Sequence, residues 1–300
     1  MRYDGPIIDA HHHLWSLGGG NYPWLTSPTD GVTSLGDLGF LRHDYLIENL
    51  LADMSGQGIT ASVHVEAVWD RNRNPVEETA WLDSLARPAG IAARYVAAAP
   101  LDDSDVEAVL AAQVEYARVV GIREIIRWHP DPARSWGRQG MTGEPAWRRG
   151  LARLRRHGML LELLMNAHQA IEVANLAANV PEQIIVVDHC CSRDPADLER
   201  WRAGIAAMAA QPNIAIKLSN FAASSDGTPA GDRSVILPII DAFGPSRCMF
   251  GSDYPVARRR ITYAASVERF RDAIHDFSLS DQQAMFHGTA ARLYRMQEIT

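Results

Sequence analysis

With 300 residues, 36 acids against 29 bases and a net charge of −7, the chain is not built to grip nucleic-acid phosphates, which requires clustered positive charge. Nearly half the residues are apolar and charge is moderate, which excludes a disordered or fibrous chain and fits one large globular domain over 1–300. The three cysteines, adjacent Cys190 and Cys191 with distant Cys248, make neither a disulfide framework nor a metal knuckle, so a reducing compartment is expected.

Eight short apolar or β-branched runs alternate with segments of helical period, the pattern of parallel βα units. The runs are Pro6 to His12, Thr60 to Glu66, Ile91 to Ala99, Val120 to Ile126, Met159 to Met165, Gln183 to His189, Asn213 to Leu218 and Arg247 to Asp253. Most are continuously apolar, as strands buried on both faces must be. Helices are expected from Tyr45 onward, at Val76 to Arg87, Asp103 to Val119, Pro145 to His157, Gln169 to Asn179, Pro195 to Ala210 and Ile261 to Asp276, with start signals at Asp102-Asp103-Ser104 and Asp194-Pro195. Eight units predict a closed (β/α)8 TIM barrel of the α/β class; an open doubly wound sheet would alternate similarly. The stretch 16–44, rich in Gly, Pro and Thr, reads as an insertion over the barrel mouth that acts as a lid. The opening Met1 to Pro6 lacks the layout of a secretory signal, and no apolar run approaches the ~20 residues of a membrane span, so a cytoplasmic protein without membrane contact is expected.

In a barrel the reacting groups sit where strands end at the C-terminal face. Strand one runs into His11-His12-His13, and alternation puts His11 and His13 on one face, where two imidazoles can grip one ion; filling polar positions is the alternative. Strand eight ends in Ser252-Asp253, with Gly251 allowing close backbone approach, so Asp253 is a candidate base or a turn aspartate. His189, after strand six, is a third ligand or a carbonyl-polarising group, against the alternative of a satisfied interior histidine. Lys217 orients Asp188 or pairs with a carboxylate. Arg127, beside Trp128, presents a guanidinium fork to substrate oxygens or forms a surface salt bridge; Arg123, inside strand four, either does the same or holds a buried ion pair. His64, Glu66 and Glu162 line the pocket or join an interior polar network. Arg258-Arg259-Arg260 is a solvated face, or a recruiter of anionic substrate.

Ordered along the chain are Ile8-Asp9-Ala10-His11-His12-His13-Leu14-Trp15, Tyr22-Pro23-Trp24-Leu25, Val65-Glu66-Ala67, Glu77-Glu78-Thr79-Ala80-Trp81-Leu82, Gly121-Ile122-Arg123, Asp188-His189, Ile216-Lys217-Leu218-Ser219, Phe250-Gly251-Ser252-Asp253-Tyr254-Pro255 and Thr289-Ala290-Ala291-Arg292-Leu293-Tyr294. In this order the sequence resembles the amidohydrolase-related family, in particular its sugar lactonase group with L-fuconolactonase and, more distantly, 2-pyrone-4,6-dicarboxylate lactonase. The resemblance implies a (β/α)8 barrel with His11, His13, His189 and Asp253 as its site. It further implies that Asp253 activates water, that His189 polarises the carbonyl or binds metal, and that arginines hold substrate oxygens. No lysine on strand four stands ready for the carbamate bridge of binuclear relatives, and Asn220 stands where many relatives have glycine.

The reading is therefore a hydrolase acting on a small molecule, opening a sugar or aliphatic acid lactone with Asp253 as general base. One divalent ion is expected, zinc foremost, held by His11, His13, His189 and Asp253; catalysis without metal stays open, as does self-association. The alternatives are metal-dependent non-oxidative decarboxylation of an unsaturated acid and a non-catalytic barrel that binds a sugar acid.

Overall fold

The computed structural model describes residues 1–26, 37–193 and 195–296. Eight parallel strands follow one another in sequence order around a (β/α)8 TIM barrel: β1 (Ile7–His12), β2 (Ile59–Val65), β3 (Arg94–Ala98), β4 (Val119–Ile125), β5 (Leu160–Leu164), β6 (Ile185–Val187), β7 (Ile214–Ser219) and β8 (Cys248–Gly251). After each comes a helix of seven residues or more: α1 (Ile47–Asp53), α2 (Val76–Ser84), α3 (Val106–Val114), α4 (Pro145–Arg156), α5 (Ala170–Asn179), α6 (Leu198–Ala209), α7 (Pro229–Phe243) and α8 (Tyr263–Ala273). All eight expected strands are present within a few residues.

The helices depart more. α3 begins at Val106, because Asp103 spends its carboxylate on the Asp105 N–H (2.8 Å) in a turn before the helix. Asp194 lies outside the described residues, and the cap of α6 is Asp197, which accepts the Arg200 N–H at 3.2 Å. α7 corresponds to no expected helix, yet with 15 residues it is the longest helix described. Its Thr228 cap and Pro229 start are ordinary signals, but Gly231, the β-branched residues and internal Pro238 weigh against a helical reading. Of the expected lid over 16–44, residues 27–36 lie outside the described residues. No helix among the described residues is long and apolar enough to cross a membrane.

One apolar cluster fills the space between sheet and helices and includes Trp147 and Trp201. A smaller one, from Ile8 and Val63 to Ala215 and Met249, fills the barrel, joined by Ala290, Ala291 and Tyr294 of the C-terminal segment. Both are needed because strands buried on two faces must meet apolar partners on each.

α4 lies so close to the segment after β3 that a Cβ on Gly150 would sit 1.9 Å from the Leu101 carbonyl oxygen. Alanine there gains ~1 kcal/mol of helix propensity, but the clash is with backbone and forces the helix off the barrel. Gly150→Ala is expected to lose roughly 1–3 kcal/mol net, read as a lower urea midpoint; a raised midpoint would contradict the packing described.

Candidate active site

The C-terminal rim brings together residues from both ends of the chain. His11 and His13 come from the end of β1, His189 from the turn after β6, and Asp253 from just beyond β8. His11 Nε2, His13 Nε2 and His189 Nε2 lie 3.6, 3.4 and 3.8 Å from one oxygen, Asp253 Oδ1, and the first two nitrogens are 3.2 Å apart. All but partly exposed His189 are buried.

Desolvation sets the protonation of this group. It lowers His11 well below the usual imidazole range, His13 to about 3 and His189 to about 4, so all three are neutral near pH 7. A neutral imidazole carries one N–H. For His13 that hydrogen is on Nδ1, 2.8 Å from the Val65 carbonyl, which only accepts, so the Nε2 lone pair faces the site. His189 Nδ1 sits 2.8 Å from Ser219 Oγ. Burial raises the Asp253 carboxyl, against the nearby His189, Arg123 and Lys217. Asp253 Oδ2 is buried without a hydrogen-bond partner among the described residues. Lone pairs gathered around a carboxylate, with one oxygen orphaned, repel one another unless a cation lies among them. Ligand atoms of His11, His189 and Asp253 all fall within 4.8 Å of one another, so the residues present fit a divalent ion.

Asp9 makes this convergence possible. Its buried carboxylate accepts the Ser252 N–H (2.8 Å), the Ser252 hydroxyl (2.6 Å), the Tyr263 hydroxyl (2.8 Å) and the His11 N–H (3.1 Å). It thereby ties β1 to the end of β8, where Asp253 N–H donates to His11 O and His13 N–H to Tyr254 O at 2.7 and 2.8 Å. Gly251 is required at the same seam, since a Cβ there would meet His11 Cβ at 2.8 Å. The sequence reading missed the role of Asp9; the available signal was a single acid within β1, next to the apolar pair Ile7 and Ile8, which must find donors once buried. Ser219, the partner of His189, was also missed and carries no comparable signal.

Beneath the rim lies a network of buried charges. Lys217 donates to Glu162 and lies 3.6 Å from Asp188, which also has Arg123 at 3.9 Å and His11 Nδ1 at 3.3 Å. Arg123 is bound to Glu66 at 2.6 Å, and Tyr294 donates to Glu162 at 3.0 Å. Lys217 thus pairs with a carboxylate, and Arg123, Glu66 and Glu162 belong to this network; Arg123 also reaches the cavity wall.

The cavity above Asp253 is walled by Trp24, Ile125, Trp136, Leu164 and Val256, with Arg127 at its edge. Arg127 Nε donates to Asn166 Oδ1 at 2.7 Å, and its terminal amino groups have no protein acceptor among the described residues. Trp128 stands apart, its ring against His168 at 5.5 Å in an adjoining groove. His64 does not line the cavity; Val63 and Val65 face the interior, so its ring turns outward, 5.7 Å from His12 and 6.2 Å from Tyr95. Arg258 pairs with Asp53 and lies over the Tyr45 and Tyr254 rings at 5.4 and 5.5 Å, a packed structural cation.

The profile of the family described as Amidohydrolase matches residues 8–296. The uncharacterized protein y4mH of Sinorhizobium fredii is 33% identical over 299 residues, covering 98% of this chain and 99% of its own. An L-fucono-1,5-lactonase of Burkholderia multivorans is 29% identical, with 97% of this chain and 96% of its own aligned. An amidohydrolase from Burkholderia multivorans, solved with bound zinc, superposes with a TM-score of 0.77 at 27% identity, over 97% of this chain and 99% of its own.

The Asp9 seam yields a graded expectation. Asp9→Ala strands the Ser252 and His11 N–H groups and lowers stability by at least ~2 kcal/mol. Asp9→Asn costs less than half of that, because its oxygen keeps the two amide donors while its amino group meets hydroxyls that can rotate to accept. Urea unfolding of both variants reads the difference; equal losses would mean that Asp9 merely fills space.

Proposed function

We propose that this chain, which belongs to the amidohydrolase family and is a hydrolase, opens the ring of a lactone by directing water onto the ring carbonyl. The observation that carries the reading is the orphaned oxygen of Asp253, buried below the cavity while three imidazole edges surround its other oxygen. Likeness to L-fucono-1,5-lactonase supports a sugar or aliphatic acid lactone as the substrate class.

Asp253 takes a proton from water as its oxygen bonds to the carbonyl carbon. The same carboxyl then hands the proton to the ring oxygen as the carbon–oxygen bond breaks, leaving a hydroxy acid. The raised pKa of Asp253 suits both halves of this exchange. Arg127 holds substrate oxygens with its terminal amino groups, and the apolar walls keep bulk water from the reacting carbonyl. His11, His13, His189 and Asp253 are the residues that would hold one divalent ion, with zinc favoured by three nitrogens and one oxygen. Bound there, such an ion supplies Lewis acidity towards the carbonyl and lowers the pKa of water.

Two measurements test this. A panel of neutral and anionic lactones followed with a pH indicator is expected to find turnover; carbon dioxide release from unsaturated acids without any ring opening would instead make the enzyme a decarboxylase, and no turnover at all a binding barrel. Asp253→Asn is expected to lower kcat at least ~10²-fold with folding unchanged, and a loss of only a few-fold would remove Asp253 as the base.

A further inference from the structure

We infer that the ammonium of Lys217 occupies a second cation site, formed by Glu162 and Asp188 beside the inner edge of His11, and so limits the centre to one divalent ion. The inference rests on the reading of the rim as a metal site.

The ring of His11 stands between two sets of groups. Because a neutral imidazole has one lone pair, its Nδ1 binds a cation alongside an ion at Nε2 only if the ring also gives up its remaining proton. Its Nε2 faces Asp253 and His13 at the rim, while its Nδ1 faces inward to Asp188 Oδ1 at 3.3 Å and Glu162 Oε1 at 3.7 Å. The donor atoms of His11, Glu162 and Asp188 lie within 4.8 Å of one another, a spacing that by itself suits a metal ion. Lys217 already stands there. Its Nζ is 3.2 Å from His11 Nδ1 and 3.6 Å from Asp188 Oδ1, and it donates to Glu162. The side chain is fully buried and lies against the Tyr294 ring, 5.4 Å from its centre, while the Tyr294 hydroxyl holds Glu162. A cation so enclosed does not swing aside for another.

Charge balance points the same way. Contacts of 4 Å or less join Glu66, Glu162, Asp188 and Asp253, with Arg123, Lys217 and three neutral imidazoles, into one buried cluster. Burial raises Glu162 to about 8 and pushes Asp188 and Asp253 above their usual range, so the four acids against two cations bring at most two excess negative charges, no more than one divalent ion neutralises. A second ion beside Lys217 would leave at least an equal excess of positive charge in a buried place, which folded proteins avoid. A neutral residue at 217 removes the occupant and adds a negative charge.

The test is ion stoichiometry. The parent protein, loaded with excess zinc or manganese and desalted, is expected to hold one ion per chain by elemental analysis, with an isolated manganese EPR signal. Lys217→Met is expected to take up a second ion and show spin-coupled manganese, while charge-preserving Lys217→Arg stays at one. Two ions in the parent, or a folded Lys217→Met that still holds one, overturns the role of Lys217 and leaves the metal reading standing. If Lys217→Met does not fold, the parent stoichiometry decides alone. No ion in the parent overturns the metal reading and this inference with it.

Discussion

Everything at the rim depends on the seam where the last strand meets the first. β1 and β8 share few backbone hydrogen bonds, and the carboxylate of Asp9 supplies what the ladder lacks, binding the main chain and hydroxyl of Ser252 and the hydroxyl of Tyr263. A buried carboxylate is tolerable because both of its oxygens have donors. Barrel closure and the chemistry therefore share one set of residues: the amide of Asp253 is bonded to His11, and that of His13 to Tyr254. Loosening the seam separates the imidazoles from the acid, whatever else stays folded.

Backbone strain gathers at the cavity, although Ala92 and Arg295 elsewhere also hold φ of +44 and +53°. Val68, His189, Asn220 and Asp253 hold φ of +62, +53, +49 and +56°, and all four line the cavity. For a β-branched valine this region is especially unfavourable. His189 opens a run of four such residues, through Cys190 and Cys191 to Ser192, which turns its ring from the strand direction towards Asp253. The surrounding strands, buried on both faces, hold these conformations in place.

How much of this was legible follows from which features are local. The strands were legible because continuous apolar runs between polar turns need no partner to be seen, and the polar residues that end those runs stood out as a group. α7 was not, since Pro238 and a β-branched face contradict the helix that its packing against the barrel enforces. Asp9 was not, because a shift of register between Asp9 and His12 breaks the alternation that would have related it to the histidines. Nor was the partner of Lys217, since Glu162 lies two strands away and only barrel curvature brings them together. His64 was misplaced among pocket residues because alternation pairs it with Glu66, whereas β2 ends at Val65 and the chain beyond it no longer alternates.

The tautomers of the rim connect these observations to the choice between metal-assisted and metal-free chemistry. The hydrogen of His13 is fixed on Nδ1 by a carbonyl, so its Nε2 only accepts. His189 and His11 are held by partners that work in either sense. The Ser219 hydroxyl donates or accepts, and His11 Nδ1 stands between the ammonium of Lys217, which gives a proton, and the carboxylate of Asp188, which takes one. In one arrangement both rings turn Nε2 lone pairs to the rim and suit a cation. In the other both turn Nε2–H groups there, so that His11 donates to His13 across their 3.2 Å contact and His189 presents a donor to the cavity. For His189 neither arrangement loses a hydrogen bond, because the Ser219 hydroxyl exchanges roles with the ring, whereas a proton on His11 Nδ1 gives up the bond from Lys217 and faces Asp188 at 3.3 Å. The same scaffold thereby accommodates an ion-bound rim and a hydrogen-bonding one, and the proposed role of Asp253 as proton carrier is compatible with both.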